Sequence, residues 1–146
     1  MKEKTGDPKS SHIELIVRFA NGARLTAEDL DLIHAIRKQR SILGASRATG
    51  FSYRKCWLMV DALNRTFETA VIATHPGRRG GGAELTSFGE RVVALYRSME
   101  RRTATATAPA VAELSASLDP AYRSRASSEA AERPQTRPQS SRWRRS

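Results

Sequence analysis

From His12 onward the chain alternates between short stretches of period two and longer stretches in which apolar residues recur every three or four positions. His12 to Phe19 alternates well enough, with its Ile, Val and Phe content, to predict a strand, and Asn21-Gly22 then turns the chain. A helix begins at Thr26, whose hydroxyl can cap it, with Asp29 at capping-box spacing and Leu30, Ile33 and Ile36 on one side. Acids crowd its first turn, and Arg37, Lys38 and Arg40 its end, which complements the helix dipole. Ser41 caps a second helix from Ile42 to about Ala48, stopped by Thr49-Gly50, and Ser52 caps a third that runs to about Phe67. The small residues Ala45, Ser46 and Ala48 permit close crossing. Two helices joined by a tight glycine turn predict a helix-turn-helix.

After the third helix, Ala70 to Thr74 reads as a strand, residues 75–82 as a loop carrying Gly77, Arg78, Arg79 and a glycine triplet, and Ala83 to Leu85 as the returning strand. This is a wing-like hairpin, so the fold class expected is mainly α with a small antiparallel β wing, a winged helix-turn-helix. From a cap at Thr86, the run through Arg102 spaces Phe88, Val92, Leu95, Tyr96 and Met99 as an amphipathic helix. Its stripe needs cover, from the first helix of the same chain or from the equivalent helix of a second subunit. From Thr103 the composition shifts to Ala, Ser, Thr, Pro and Arg, too poor in large apolar residues to offset the entropy of ordering. The expected organisation is a flexible start at 1–11, one domain over 12–102 and a largely disordered basic tail over 103–146, with a transient helix allowed at Val111 to Leu118.

Charge narrows the partners. The 146 residues carry a formal net charge of +10. Residues 103–146 hold seven arginines against four acids, which leaves +7 in residues 1–102, so the folded part is itself basic and suits a polyanion. No run of about 18 apolar residues predicts a transmembrane helix, and the opening residues lack the apolar core of a signal peptide; a cytoplasmic protein with no membrane partner is expected. The one cysteine, Cys56, cannot form an intramolecular disulfide and sits in no Cys/His spacing suited to zinc. No metal and no cofactor are expected.

Catalysis has little to stand on: His12, His34 and His75 are scattered, and neither a metalloprotease helix motif nor a nucleophile elbow occurs. Cys56 reads as a small packed residue, with a redox switch as the alternative. The protein is expected not to be an enzyme. On the third helix Trp57, Val60, Leu63, Asn64 and Phe67 share one side, while Arg54, Lys55, Ala62 and Arg65 turn away. The start of such a helix can enter the major groove, where Arg pairs with guanine and hydroxyls bond base edges or phosphate. Ser52, Tyr53, Arg54, Lys55 and Arg65 are therefore candidates for contact with double-stranded DNA. Arg78, Arg79, Gly80, Gly81 and Gly82 are candidates for a backbone or minor-groove contact, since glycines allow close approach. A flexible hairpin tip and a nucleotide-phosphate loop are the competing readings, the last disfavoured because no phosphate-loop motif occurs. The terminal Arg142 to Arg145 stretch, with Trp143, is read as a disordered end able to touch phosphates.

These residues, in this order, resemble the amino-terminal DNA-binding domain of the ModE family of molybdate-responsive transcriptional regulators. The resemblance spans about residues 12–102 and rests on Asn21-Gly22, Ala35-Ile36, Arg40 to Ile42, Phe51 to Trp57, Val60 to Asn64, Arg79 to Ala83, Leu85-Thr86, Gly89 and Tyr96-Arg97. It implies a regulator that binds a two-fold operator as a homodimer, with Phe88, Val92, Leu95 and Met99 as dimerisation candidates. The sequence departs from the family where Arg40 replaces a usual glycine, Cys56 an alanine and Lys55 a frequent arginine. The family's molybdate-binding domains have no counterpart after the final helix, so direct molybdate sensing is not expected, and the question of any small-molecule effector stays open. A winged-helix protein-interaction module is the alternative reading.

Overall fold

In the computed structural model, residues 10–125 are described. The expectations for residues 1–9 and for 126–146, including the Arg142 to Arg145 stretch, lie outside the described residues. The elements run β1 (Val17–Arg18), β2 (Arg24–Leu25), α1 (Ala27–Gln39), α2 (Ile42–Thr49), α3 (Tyr53–Thr66), β3 (Ile72–His75), β4 (Gly82–Leu85) and α4 (Ser87–Ala116). β1 pairs antiparallel with β2, and β3 with β4 in the register Ile72↔Leu85 to His75↔Gly82. The result is a mainly helical fold with two small antiparallel sheets, compatible with a winged helix.

Local chemistry sets the helix starts. Thr26 accepts from Asp29 N while Asp29 Oδ2 accepts from Thr26 N at 2.9 Å, a complete capping box. Ser41, Ser52 and Thr86 each accept from the backbone N–H three residues on, at 2.9–3.0 Å, so all four expected caps are in place. α1 and α2 are separated only by Arg40 and Ser41. That reversal puts Arg40 in the left-handed region, at φ 57°, with its N–H on Ile36 O. A non-glycine residue there is strained by about 1 kcal/mol.

The core forms where α1, α2, α3, the wing and the start of α4 converge, around Leu30, Ile33, Ile36, Ile42, Leu63 and Tyr96, all fully buried. Each such aliphatic side chain contributes roughly 1.5–3 kcal/mol from burial. Asn64 fastens the wing to α3: its Oδ1 accepts from Val71 N and Ile72 N at 2.9 and 3.0 Å, and its Nδ2 donates to Ile72 O at 2.8 Å. β4 extends this contact to the other side, where Ala83 N donates to Arg40 O and Gly82 bridges Ser41. The wing is thereby stitched between two helical elements.

Two expectations change. The strand expected over His12 to Phe19 pairs only at Val17 and Arg18, because its partner is the two-residue strand Arg24–Leu25 on the far side of the Asn21-Gly22 turn. The extended remainder is held from the side instead, with Tyr96 Oη donating to Leu15 O at 2.7 Å. The final helix does not end near Arg102 but continues to Ala116, through the stretch expected to be disordered. Alanines at 104, 106, 108, 110 and 112 extend a helix already nucleated and packed, and propagation adds one hydrogen bond per residue fixed. Pro109 lies inside it and cannot donate to the preceding turn. Beyond Arg102 no residue of α4 is buried, so this half adds nothing to the core.

Candidate nucleic-acid interface

α3 is built as a two-sided helix. Cys56, Val60 and Leu63 are buried, with Trp57, Asn64 and Phe67 half-buried beside them, while Tyr53, Arg54, Lys55, Leu58, Asp61, Ala62 and Arg65 are exposed. At 100° per residue, Leu58, Asp61 and Arg65 fall within roughly 40° of Arg54, so these four form one outward stripe opposite the core. Arg54 has no ion pair or hydrogen bond within the described residues. Arg65 lies roughly 16 Å along the helix from Arg54 and is paired with Asp61, Nε to Oδ2 at 3.2 Å. Lys55 is engaged too: its ammonium pairs with Glu28 of α1 and lies 4.4 Å from the centre of the Phe51 ring. Of the candidate cations on α3, Arg54 alone stands clear of intramolecular acids.

The wing loop brings its arginines out and its glycines in. Arg78 and Arg79 are exposed, whereas Gly81 and Gly82 are buried. Gly80 and Gly81 adopt φ 73° and 71°, and their carbonyls accept from Leu43 N and Ile42 N at 2.9 and 2.8 Å, capping the start of α2. A Cβ on Gly81 would stand 2.8 Å from Trp57 Cζ2 and 3.3 Å from Tyr53 Oη. The close approach that glycine permits is made to the protein's own α2 and α3. Of the candidate contact residues in the loop, Gly81 and Gly82 are buried and Arg78 and Arg79 point outward. Tyr53, edge-on to Trp57 at 6.2 Å, joins the first turn of α3 to the wing loop at Gly81. Across the wing, His75 Nε2 lies 2.8 Å from Glu84 Oε1, and that hydrogen bond and charge hold the Glu84 carboxyl below its ordinary range.

The remaining candidates divide. Phe88 packs edge-on to Phe67, which packs on Phe19, at 5.3 and 5.4 Å, and Val92 is buried, so half the proposed dimerisation stripe belongs to the chain's own core. Leu95 and Met99 are 46% and 37% exposed. The cover for the stripe is thus the same chain at its start and solvent at its end. Cys56 is fully buried, and burial pushes its thiol above the ordinary range, opposed weakly by Thr49 and Lys55. Such a thiol is a poor nucleophile at neutral pH. His34 lies against Arg97, whose Nη1 donates to Glu100 at 2.7 Å. Among the described residues no group of His, Cys, Asp and Glu could hold a metal ion, and no helix is long and apolar enough to cross a membrane.

Sequence reasoning missed Arg18 and Arg24, which face each other across the first hairpin beside α3. The signal available was an arginine three positions to either side of Asn21.

No protein-family model matches the chain. It is similar to the molybdenum-pterin-binding protein MopB of Rhodobacter capsulatus, at 38% identity over 73% of this chain and 39% of that protein. It is 36% identical to the molybdenum transport protein ModE of Azotobacter vinelandii over 54% of this chain and 30% of that protein. Against the DNA-binding transcriptional dual regulator ModE of Escherichia coli K12 the identity is 31% over 46% of this chain and 26% of the relative. The chain thus spans about two fifths or less of these curated relatives. Their names describe regulation, transport and molybdenum binding rather than catalysis, and the chain's homologues are ModE and Mop proteins.

Proposed function

We propose that the chain is a sequence-specific DNA-binding transcriptional regulator of ModE type, cytoplasmic, acting on double-stranded DNA as a homodimer on a two-fold operator. The observation that carries this reading is the outward stripe of α3, with Arg54 uncommitted to any acid, beside a wing whose exposed groups are Arg78 and Arg79. α3 has the length and exposure to lie in a major groove, where Arg54 can reach guanine O6 and N7, and Ser52 and Tyr53 carry hydroxyls at the same end. The wing arginines then meet the flanking phosphates. Lys55 and Arg65 contribute less, because each must give up an ion pair to touch DNA. The E. coli relative, named as a DNA-binding transcriptional dual regulator, supports the same reading. Leu95 and Met99 are the residues left for a second subunit. The reading assigns no molybdate-binding role to residues 10–125.

Selection of bound duplexes from a random pool, with and without molybdate, tests it. A recurring two-fold site is expected, with the same sequence in both arms. Replacing Arg54 by Ala should relax preference at one base position by about 1–3 kcal/mol. Recovery of no site above bulk competitor DNA would sink the reading and leave a protein-interaction module in its place. Sedimentation at micromolar concentration should give a dimer mass; a monomer both with and without the selected duplex would remove the two-fold arrangement.

A further inference from the structure

The outward stripe of α3 has a second cationic neighbour, on the side away from the wing. Measured around the helix from Arg54, the wing-facing residues Tyr53 and Trp57 are turned roughly 60–100° one way, and Met59, Ala62 and Thr66 roughly 80–140° the other way. A groove runs along this second side, and its opposite wall is the first hairpin, with Arg18 and Arg24. Both arginines are exposed, and they are direct cross-strand partners in the two-residue ladder. Directly opposed side chains in an antiparallel pair have Cβ atoms about 5 Å apart, and like charges there destabilise the pair. Neither arginine has an acidic partner among the described residues. The acid in the groove, Asp29, is committed to capping α1, its Oδ2 accepting from Thr26 N and Oγ1 at 2.9 and 3.1 Å. Lys55 also lines the groove, with its charge already met by Glu28.

Two opposed, uncompensated guanidinium groups suit a polyanion. A duplex that takes a helix into its major groove presents a phosphate strand on each side of that helix, about 12 Å apart across the groove. Wing arginines on one side of α3 can serve only one of those strands. We infer that the β1–β2 hairpin is a second phosphate clamp, in which Arg18 and Arg24 hold the DNA strand on the side of α3 opposite Arg78 and Arg79. The hairpin is positioned for this by protein contacts alone: Asn21 Nδ2 donates to Thr66 O at 3.0 Å, and Phe19 packs on Phe67. Contacts of this kind set register on the duplex and carry no base preference.

The inference rests on the proposed DNA-binding reading, and one titration series separates their failures. Binding of a labelled duplex from the selection, and of a scrambled duplex, is measured against salt for the full chain, for R18Q/R24Q, for R78Q/R79Q and for the charge-keeping R18K/R24K. Removing two phosphate contacts should lower the slope of log K against log salt by about 1.8 and weaken binding roughly thirtyfold at 0.15 M salt, equally for both duplexes. R18K/R24K should keep the slope. A slope unchanged in R18Q/R24Q but reduced in R78Q/R79Q overturns the hairpin clamp and leaves the regulator reading intact. If the unaltered chain binds neither duplex, the reading itself falls and takes the clamp with it. Thermal melts of the variants check that each is folded; both arginines are exposed, so midpoints close to that of the unaltered chain are expected.

Discussion

The two hairpins beside α3 each carry a pair of arginines, but they are fixed to the body by different means. The wing is held through its backbone. Gly80 and Gly81 cap α2 with their carbonyls, Asn64 takes both N–H groups at the start of β3, and Ala83 N donates to Arg40 O. The first hairpin is held through side chains: Tyr96 Oη on Leu15 O, Asn21 Nδ2 on Thr66 O, and the ring of Phe19 on Phe67. Backbone fastening demands particular residues where elements touch, so the wing announces itself by glycines. Side-chain fastening constrains the hairpin at Phe19 and Asn21 but sets no pattern on the flanking Arg18 and Arg24. The same cationic display can therefore be conspicuous in one place and silent in another.

The sharpest test of backbone fastening is Gly89, where α4 is seated against the root of the wing. A Cβ there would stand 2.3 Å from Val71 O, which already accepts from Thr86 N at 3.0 Å. Neither the carbonyl nor the helix can yield without breaking that bond. Gly89→Ala should cost about 3 kcal/mol in urea denaturation. A loss below 0.5 kcal/mol would show that the wing root is not rigid, and the contrast between the hairpins would weaken.

Side-chain fastening is tested at Tyr96. Burial pushes its hydroxyl up to about 12, the charge of Glu100 adding to the effect and Arg97 opposing it. A phenol whose folded value exceeds its unfolded value of about 10 favours folding in the neutral form. Its contribution is complete below pH 10 and is lost as pH rises towards 12, by an amount on the order of 2 kcal/mol. Tyr96→Phe should cost about 1 kcal/mol at neutral pH by leaving Leu15 O without its donor, and should remove that part of the alkaline loss. Amide exchange should quicken at Leu15 to Phe19 in this variant and stay unchanged in β3 and β4. Equal quickening in both hairpins would mean they are not separately fastened.

The smallest expected effect concerns Arg40, at the hinge to which β4 is stitched. Its left-handed backbone is strained for any residue with a Cβ, so Arg40→Gly should gain about 0.5 kcal/mol once the extra freedom of glycine in the unfolded chain is deducted. Thermal unfolding measures it. A loss instead would mean that the side chain of Arg40, and not its backbone, matters at this junction.

Much of the fold was readable in the chain because its determinants are local. Thr26, Ser41, Ser52 and Thr86 cap the residues that immediately follow them, and the apolar spacings of Leu30, Ile33 and Ile36 on α1 and of Val60 and Leu63 on α3 repeat with their helices. The departure from glycine at Arg40 was visible, but its strained backbone was not, since φ depends on how tightly α1 turns into α2. The length of α4 was misjudged because poverty in large apolar residues was weighed above the helix propensity of alanine in a helix already begun. For the candidate interface, Arg54, Arg78 and Arg79 were identified from the chain and are exposed in the structure. The first strand and its Asn21-Gly22 turn are legible in the chain, but the return strand Arg24–Leu25 and the pairing of Arg18 with Arg24 are not, because a two-residue ladder has no periodicity to detect.

Sequence alone determined the basic balance of the chain, which is a sum over its composition, and the helix starts set by caps and the two-sided character of α3, which depend on neighbours within about four residues. Tertiary structure decided which cations remain uncommitted and which glycines touch solvent. Lys55 meets Glu28 across 27 positions, Gly81 meets Trp57 across 24, and Tyr96 meets Leu15 across 81. Pairings of that range depend on how helices cross and pack, and no local pattern encodes them.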